Sequence, residues 1–294
     1  MSKKKLTFLV ILLMLSSMLS GCNRIEELKV KLGVKNNDFE YIKQGKIEKI
    51  VIQNTRDKGF RFIVTDKKAI AELYDILSTA KEAQEKSTLV PDYTFEMQEG
   101  INKVYKFNYI AGLDKKDAGN LYSDNKVYIV SKRLDSDIIK SFWNVRRPRD
   151  FQKVYYEETI LGSLARYKTD VEKEQKAKEV KTKLSDKKIG VNIDDDVEVG
   201  KFILSTDLED FKGMLNNQEK NAEMMVKDKN YDIKMTVKTQ GYKSTLFKAI
   251  VTFWDKQEMS EKKYYIISQI PENKNSGWRT EIFTDKDKDS LRDF

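Results

Sequence analysis

Cys22 is the only thiol in the chain, and there is no histidine. A Cys/His zinc site, a Ser/His or Cys/His catalytic pair and an imidazole pH switch are therefore unavailable. Nucleophilic chemistry would fall to serine with lysine, and Ser78-Thr79-Ala80-Lys81 has that spacing, with Ser123-Asp124-Asn125 and Lys238-Thr239-Gln240-Gly241 as further polar runs. Such a site needs its serine at the start of a helix and the lysine one turn later. Ser78 falls instead near the end of the helix predicted below. Asp285, Asp287 and Asp289 take the first, third and fifth places of a calcium loop. Ser290 stands where that loop needs glycine and its twelfth place falls at 296, so a solvated tail is expected. Asp194-Asp195-Asp196 with Glu198 is another acidic group, but neighbouring strand residues alternate faces, and a turn is the better reading. No metal and no cofactor are expected.

The Ser78 and Ser123 runs resemble two of the three signatures of penicillin-binding enzymes. The third, Lys-Thr-Gly, is broken here by Gln240. Arg146, Arg147 and Arg149 beside Trp143 make the densest arginine cluster, suited to an anionic lipid head, a wall polymer or an acidic partner. Nucleic acid is not the expected partner. Of 55 basic residues only 10 are arginine, and the 45 lysines are interspersed with 47 acids, which describes a solvated surface of mixed sign.

Lys3, Lys4 and Lys5 precede an apolar run from Leu6 to Leu15, and the stretch closes on Leu19, Ser20, Gly21 and Cys22. It is short for a membrane span of about 20 apolar residues. A basic start, an apolar middle and small residues at the end read as an export signal. Leu19-Ser20-Gly21-Cys22 resembles the lipobox of bacterial lipoproteins. That resemblance implies recognition of Leu19, Ser20 and Gly21 by signal peptidase II, cleavage before Cys22, and a diacylglyceryl group on its sulfur. One fatty chain anchors marginally and two hold firmly, at about 0.8 kcal/mol per buried methylene. The expected location is the extracytoplasmic face of the cell membrane, lipid-anchored; an uncleaved anchor is the alternative. Loss of residues 1 to 21 takes three of the 55 basic residues and none of the 47 acids, leaving a net charge of +5 against +8 before cleavage.

A body of 294 residues with 39% hydrophobic side chains, 13 Gly and 3 Pro can form a core and is neither collagenous nor wholly disordered. Two modest domains are expected. Residues 22–45 are the lipidated amino terminus and tether, reaching about 26 Å if flexible, or a short helix lying on a surface. The first domain covers 46–147. Strands flank the turn Asn54 to Gly59, Asp66 caps a helix with Ile70, Leu73, Tyr74 and Leu77 on one face, and strands follow around Tyr93–Met97, Val104–Tyr109 and Val127–Val130. A last helix is expected from Leu134 to Trp143. The strand pair, the Val-Thr-Asp entry and the amphipathic helix over Ile50 to Leu77 look like the YhfM-like domain of Gram-positive lipoproteins, which implies an anchored domain without known activity.

Residues 148–188 read as a bridging helix with Phe151, Val154, Tyr155, Leu161 and Leu164 buried, its 168–188 part being helix or linker. The second domain, 189–294, is expected to pack a helix capped by Thr206 or Asp207 on an antiparallel sheet, similar to cystatin-like and NTF2-like folds. The fold class is therefore α+β, each domain an antiparallel sheet with a packed helix. The function this implies is a noncatalytic module that binds or positions a protein or an envelope component. An envelope enzyme working through Ser/Lys or carboxylates, or a small-ligand-binding lipoprotein, is the alternative.

Overall fold

Strand alternation and helical periodicity both survive folding, and they build two sheets. The structure, a computed structural model, describes residues 29–30, 32–113, 119–139, 147–178, 184–271, 277–285 and 287. It divides into two units, the first taking Met1–Ile52, Phe62–Thr88 and Tyr93–Ile139. Gln53–Arg61, Leu89–Asp92 and Lys140–Phe294 make up the second. Among the described residues no helix is long and apolar enough to cross a membrane.

The first sheet is antiparallel with strand order β2-β1-β4-β5-β6-β7-β3. Its strands are β1 (Lys49–Asn54), β2 (Arg61–Val64), β3 (Lys81–Glu82), β4 (Tyr93–Glu99), β5 (Lys103–Tyr109), β6 (Leu121–Tyr122) and β7 (Val127–Ile129). A short helix, α1 (Glu40–Lys43), precedes them, and α2 (Lys67–Leu77) follows β2. The Asp66 carboxylate accepts the Ala69 N–H at 2.9 Å, as the sequence predicts for the cap of α2. Ile70, Leu73, Tyr74 and Leu77 are buried, so the face read from their spacing is the core face. At the other end of α2, Asn36 donates to the Leu77 and Ala80 carbonyls at 2.9 and 2.8 Å, satisfying acceptors the helix leaves open. Leu134–Ile139 winds as a π-helix.

The second sheet has strand order β13-β12-β11-β10-β8-β9, built from β8 (Ile189–Asn192), β9 (Ala222–Met224), β10 (Ile233–Lys243), β11 (Leu246–Asp255), β12 (Ser260–Gln269) and β13 (Arg279–Thr284). β10 to β13 form the expected antiparallel meander. The sheet as a whole is mixed and not antiparallel, because β8 pairs parallel to both β9 and β10. A parallel partner needs a crossover, and a helix supplies it between β8 and β9. At Gly190 an added Cβ would meet the Tyr231 ring and Met225 at 2.7 Å, so only glycine lets that ring cover the strand.

One helical stretch departs from ordinary geometry. Lys153–Leu161 is a π-helix that runs directly into α3 (Gly162–Lys178), so the stretch that reads as helix or linker is helical as far as Lys178. The Thr159 hydroxyl donates to the Val154 carbonyl five residues back at 2.7 Å, which suits the wider turn. Wider winding enlarges the buried face. Phe151, Val154, Tyr155, Leu161 and Leu164 are buried as predicted, and Tyr156, Thr159 and Ile160 join them. Helix α4 (Ser205–Gln218) buries Phe211 and Leu215 in the same core as the inward residues of β8, β10, β11 and β12.

Candidate functional site

Tyr155 and Tyr156, neighbours on the π-helix, are both buried. Each addresses a different buried carboxylate of the second unit. Tyr155 stacks on Phe151 with centroids 5.1 Å apart, and its hydroxyl donates to Asp196 at 3.1 Å. Asp196 also accepts the Thr239 N–H at 3.1 Å and the Thr239 hydroxyl at 2.8 Å. Thr239 opens the irregularity in the β10–β11 register, where a backbone donor leaves its ladder. Asp196 thus satisfies a bulge, and burial raises its carboxyl above the usual range against the pull of those donors.

Tyr156 stacks on Phe211 of α4, with ring centroids 4.8 Å apart, and lies within electrostatic reach of Asp207, Arg56, Arg147 and Asp92. These charges gather at the amino end of α4, where the helix dipole favours anions. The first turn is not capped by Leu204, which has no capping side chain. Asp92 supplies the acceptor: its carboxylate, with the side chain 0% exposed, takes the Ser205 N–H at 2.9 Å. Arg56 donates from Nη1 to Asp92 at 2.6 Å and to the Ile203 carbonyl at 3.1 Å, and from Nη2 to Ser205 Oγ at 2.6 Å. Ser205 Oγ in turn donates to the Val90 carbonyl at 2.6 Å. An Asx turn fixes the arginine, since Asn54 Oδ1 accepts the Arg56 and Asp57 N–H groups at 2.9 and 2.8 Å.

Asp207 sits beside this pair with a different status. Gln152 donates to its Oδ1, while Oδ2 and the Tyr156 hydroxyl are buried without a hydrogen-bond partner. Burial raises the Asp207 carboxyl above the usual range, and Gln152 and Arg147 oppose that rise. Arg147 lies over the rings of Phe151 and Phe202, 5.5 and 5.8 Å from their centroids. Arg147, Phe151 and Gln152 also line an open recess of about 500 Å³ shared with Asp150, Lys153 and Glu157. The arrangement can hold a proton at Asp207 or accept a donor there.

The other residues singled out in the sequence are placed as follows. Leu19, Ser20, Gly21, Cys22 and Arg146 lie outside the described residues. Arg149 has an exposed side chain; its N–H donates to the Ser244 carbonyl at 2.9 Å and its carbonyl accepts the Trp278 indole at 3.0 Å. Of the two described arginines of the cluster, Arg147 lies within electrostatic reach of Asp207 and Arg149 is held by its backbone. Ser78 is fully buried at the end of α2 with its hydroxyl on the Asp75 carbonyl at 3.1 Å, while Lys81 is exposed on β3. Ser123 accepts the Lys126 N–H in a turn, and Thr239 is committed to Asp196. Asp195 accepts from Asn192 while Asp196 turns inward, so the acidic run diverges. Asp285 and Asp287 accept from Tyr265 and Thr284, and Asp289 lies outside the described residues. No group of three metal-binding side chains occurs among the described residues.

Sequence reasoning missed Arg56, Asp92, Gln152, Tyr156 and Ser205. The only local signal was Asn54, a turn former placed two residues before the arginine.

Comparison with known proteins gives no match among curated proteins and none among solved structures. Residues 43–148 match the family model described as YhfM protein, and that stretch, which contains both Arg56 and Asp92, is a YhfM-like domain.

Proposed function

We propose that the chain is a bacterial lipoprotein, exported, lipidated on Cys22 and held on the extracytoplasmic face of the membrane. There its body binds or positions a protein or an envelope component without catalysing a reaction. The observation that carries this reading is the run Leu19-Ser20-Gly21-Cys22 behind a basic and apolar leader, with its cysteine the only thiol available for acylation. The local geometry supports the noncatalytic part. Ser78, Ser123, Thr239 and Asp196 are engaged in hydrogen bonds that hold turns and a bulge together. Of residues 22–45, read from the sequence as the lipidated amino terminus and tether, Asn36, Phe39 and Ile42 already pack into the first unit, which leaves the part before Asn36 as the tether.

Metabolic labelling with an alkyne fatty acid tests the anchor. The full chain is expected to take up label and sediment with membranes, and Cys22→Ala to lose both label and membrane retention. Label and retention that survive the substitution overturn the proposal. Crosslinking on intact cells then identifies what the body touches.

A second reading, small-ligand binding, is favoured by one observation: the unpartnered Asp207 Oδ2 and Tyr156 hydroxyl in a single cluster. Native mass spectrometry of protein taken from its own membranes would show a bound small molecule that Asp207→Asn no longer retains. Identical spectra for the two proteins would remove this reading.

A further inference from the structure

The inner face of the second sheet is filled by core residues, and its outer face shows an ordered pattern of its own. The register places Lys238, Ile250, Tyr265 and Phe283 in one row across β10 to β13. The next row along β11 to β13 is Lys248, Ile267 and Glu281. Alternation puts all of these opposite to the buried Val237, Val251, Phe253 and Ile266. Ile250, Tyr265, Ile267 and Phe283 are half-buried and adjacent, forming an apolar centre that the three neighbouring strands β11 to β13 present together.

Charge is distributed unevenly around that centre. On β10 and β11 the outward charges are Lys234, Lys238, Lys243 and Lys248, all basic, of which Lys234 is paired with Asp195 at 3.7 Å. Among the described residues of β12 and β13 and at Asp285, just past β13, the acids Glu261, Glu281 and Asp285 outnumber Lys263 and Arg279. Lys263 and Glu261 pair with each other at 2.8 Å, which leaves Glu281 and Asp285 against Arg279. One side of the face is thus basic and the other carries the acids.

We propose that this face binds a second copy of the chain through a two-fold axis running along the strands between β11 and β12. A two-fold interface brings the same patch from both copies together, so it must be self-complementary. With the axis along the strands, β10 of each copy lies over β13 of the other. Lys238 then faces the Glu281–Asp285 edge while Ile250 faces Tyr265. An axis across the strands would set lysine over lysine on β10, and that arrangement is disfavoured because like charges placed together cost several kcal/mol. Size is adequate: strands about 4.8 Å apart, three of them about 33–36 Å long and the six-residue β13 about 20 Å, present roughly 600 Å² in flat projection. A corrugated surface on that footprint approaches the roughly 800 Å² per partner of a stable interface.

The test uses the full chain carrying Cys22→Ser, in which an introduced thiol is the only one, treated with a short bismaleimide. Tyr265→Cys, close to the axis, is expected to give a product of twice the chain mass. Asp57→Cys, placed in the β1–β2 turn, is expected to give none. Adding Lys238→Glu should lower the dimer yield at least tenfold, and adding Glu281→Lys to that variant should restore it. Circular dichroism and melting of each variant identify any that fail to fold. Absence of the Tyr265→Cys dimer in a folded protein overturns the proposal, and so does equal yield from Asp57→Cys. A crosslinked product of another mass would mean that a different protein covers the face, which also overturns it. Failure of the charge exchange to restore the dimer overturns the axis direction and with it the proposed interface.

Discussion

Two consecutive tyrosines, Tyr155 and Tyr156, lead to two buried carboxylates that have the same direction of shift and opposite bookkeeping of hydrogen bonds. Asp196 receives a tyrosine hydroxyl, a threonine hydroxyl and a backbone N–H. Asp207 receives one amide at Oδ1 and leaves Oδ2 unmatched beside an unmatched phenol. Both carboxyls are raised by burial. Burial and a shifted carboxyl therefore do not by themselves separate a structural acid from a candidate site. Unused hydrogen-bonding capacity does, because a buried polar atom without a partner is an exception that calls for an explanation.

The largest effect expected around these groups tests the charge pair that neighbours Asp207. Arg56→Ala leaves the enclosed Asp92 carboxylate without its counter-ion, and urea unfolding should show a loss of about 3–5 kcal/mol. A loss below about 1 kcal/mol would show that Asp92 is satisfied by Ser205 alone.

Next comes the contrast between the two acids. Asp196→Ala orphans the Thr239 N–H inside the sheet and should cost about 1–3 kcal/mol. Asp207→Ala should change stability by less than about 1 kcal/mol, since Gln152, which loses its bond, is solvent-exposed and can turn to water. Equal losses at the two sites would erase the distinction drawn between them.

The smallest effect is in the pH dependence. A carboxyl raised in the folded state binds its proton more tightly there than in the unfolded chain. The stabilisation this provides is complete below the ordinary carboxylate value of about 3.9 and is lost as pH rises through the raised folded-state value. Stability from these two groups should therefore fall on going up in pH from that point. Asp196→Asn and Asp207→Asn should each flatten the curve, measured as melting temperature from pH 4 to pH 7. A slope unchanged in both variants would mean that neither acid titrates differently on folding.

Much of the architecture is readable because its signals are local. The capping carboxylate of Asp66 and the face Ile70, Leu73, Tyr74 and Leu77 lie within one helix, and the outward lysines of β10 alternate with core residues inside one strand. The α+β class follows from such patterns. The parallel pairing of β8 does not, since four residues buried on both faces carry no mark of strand direction. Nor does the first turn of α4, which the sequence assigns to Thr206 or Asp207 and the structure gives to Asp92, 113 positions away. The π-helix is equally silent, because the apolar spacing of this stretch reads equally well as an ordinary α-helical face.

The amino-acid sequence alone determined the elements, their core-facing residues and the lipobox-like run ending at Cys22, because each depends on neighbours a few bonds or one turn apart. Tertiary structure alone decided that Arg56, Asp92, Ser205 and Asp207 share the amino end of one helix, and that one buried acid is fully bonded while another is not. Charges and hydrogen-bond partners brought together across more than a hundred residues leave no periodicity behind, so only the folded chain reveals them.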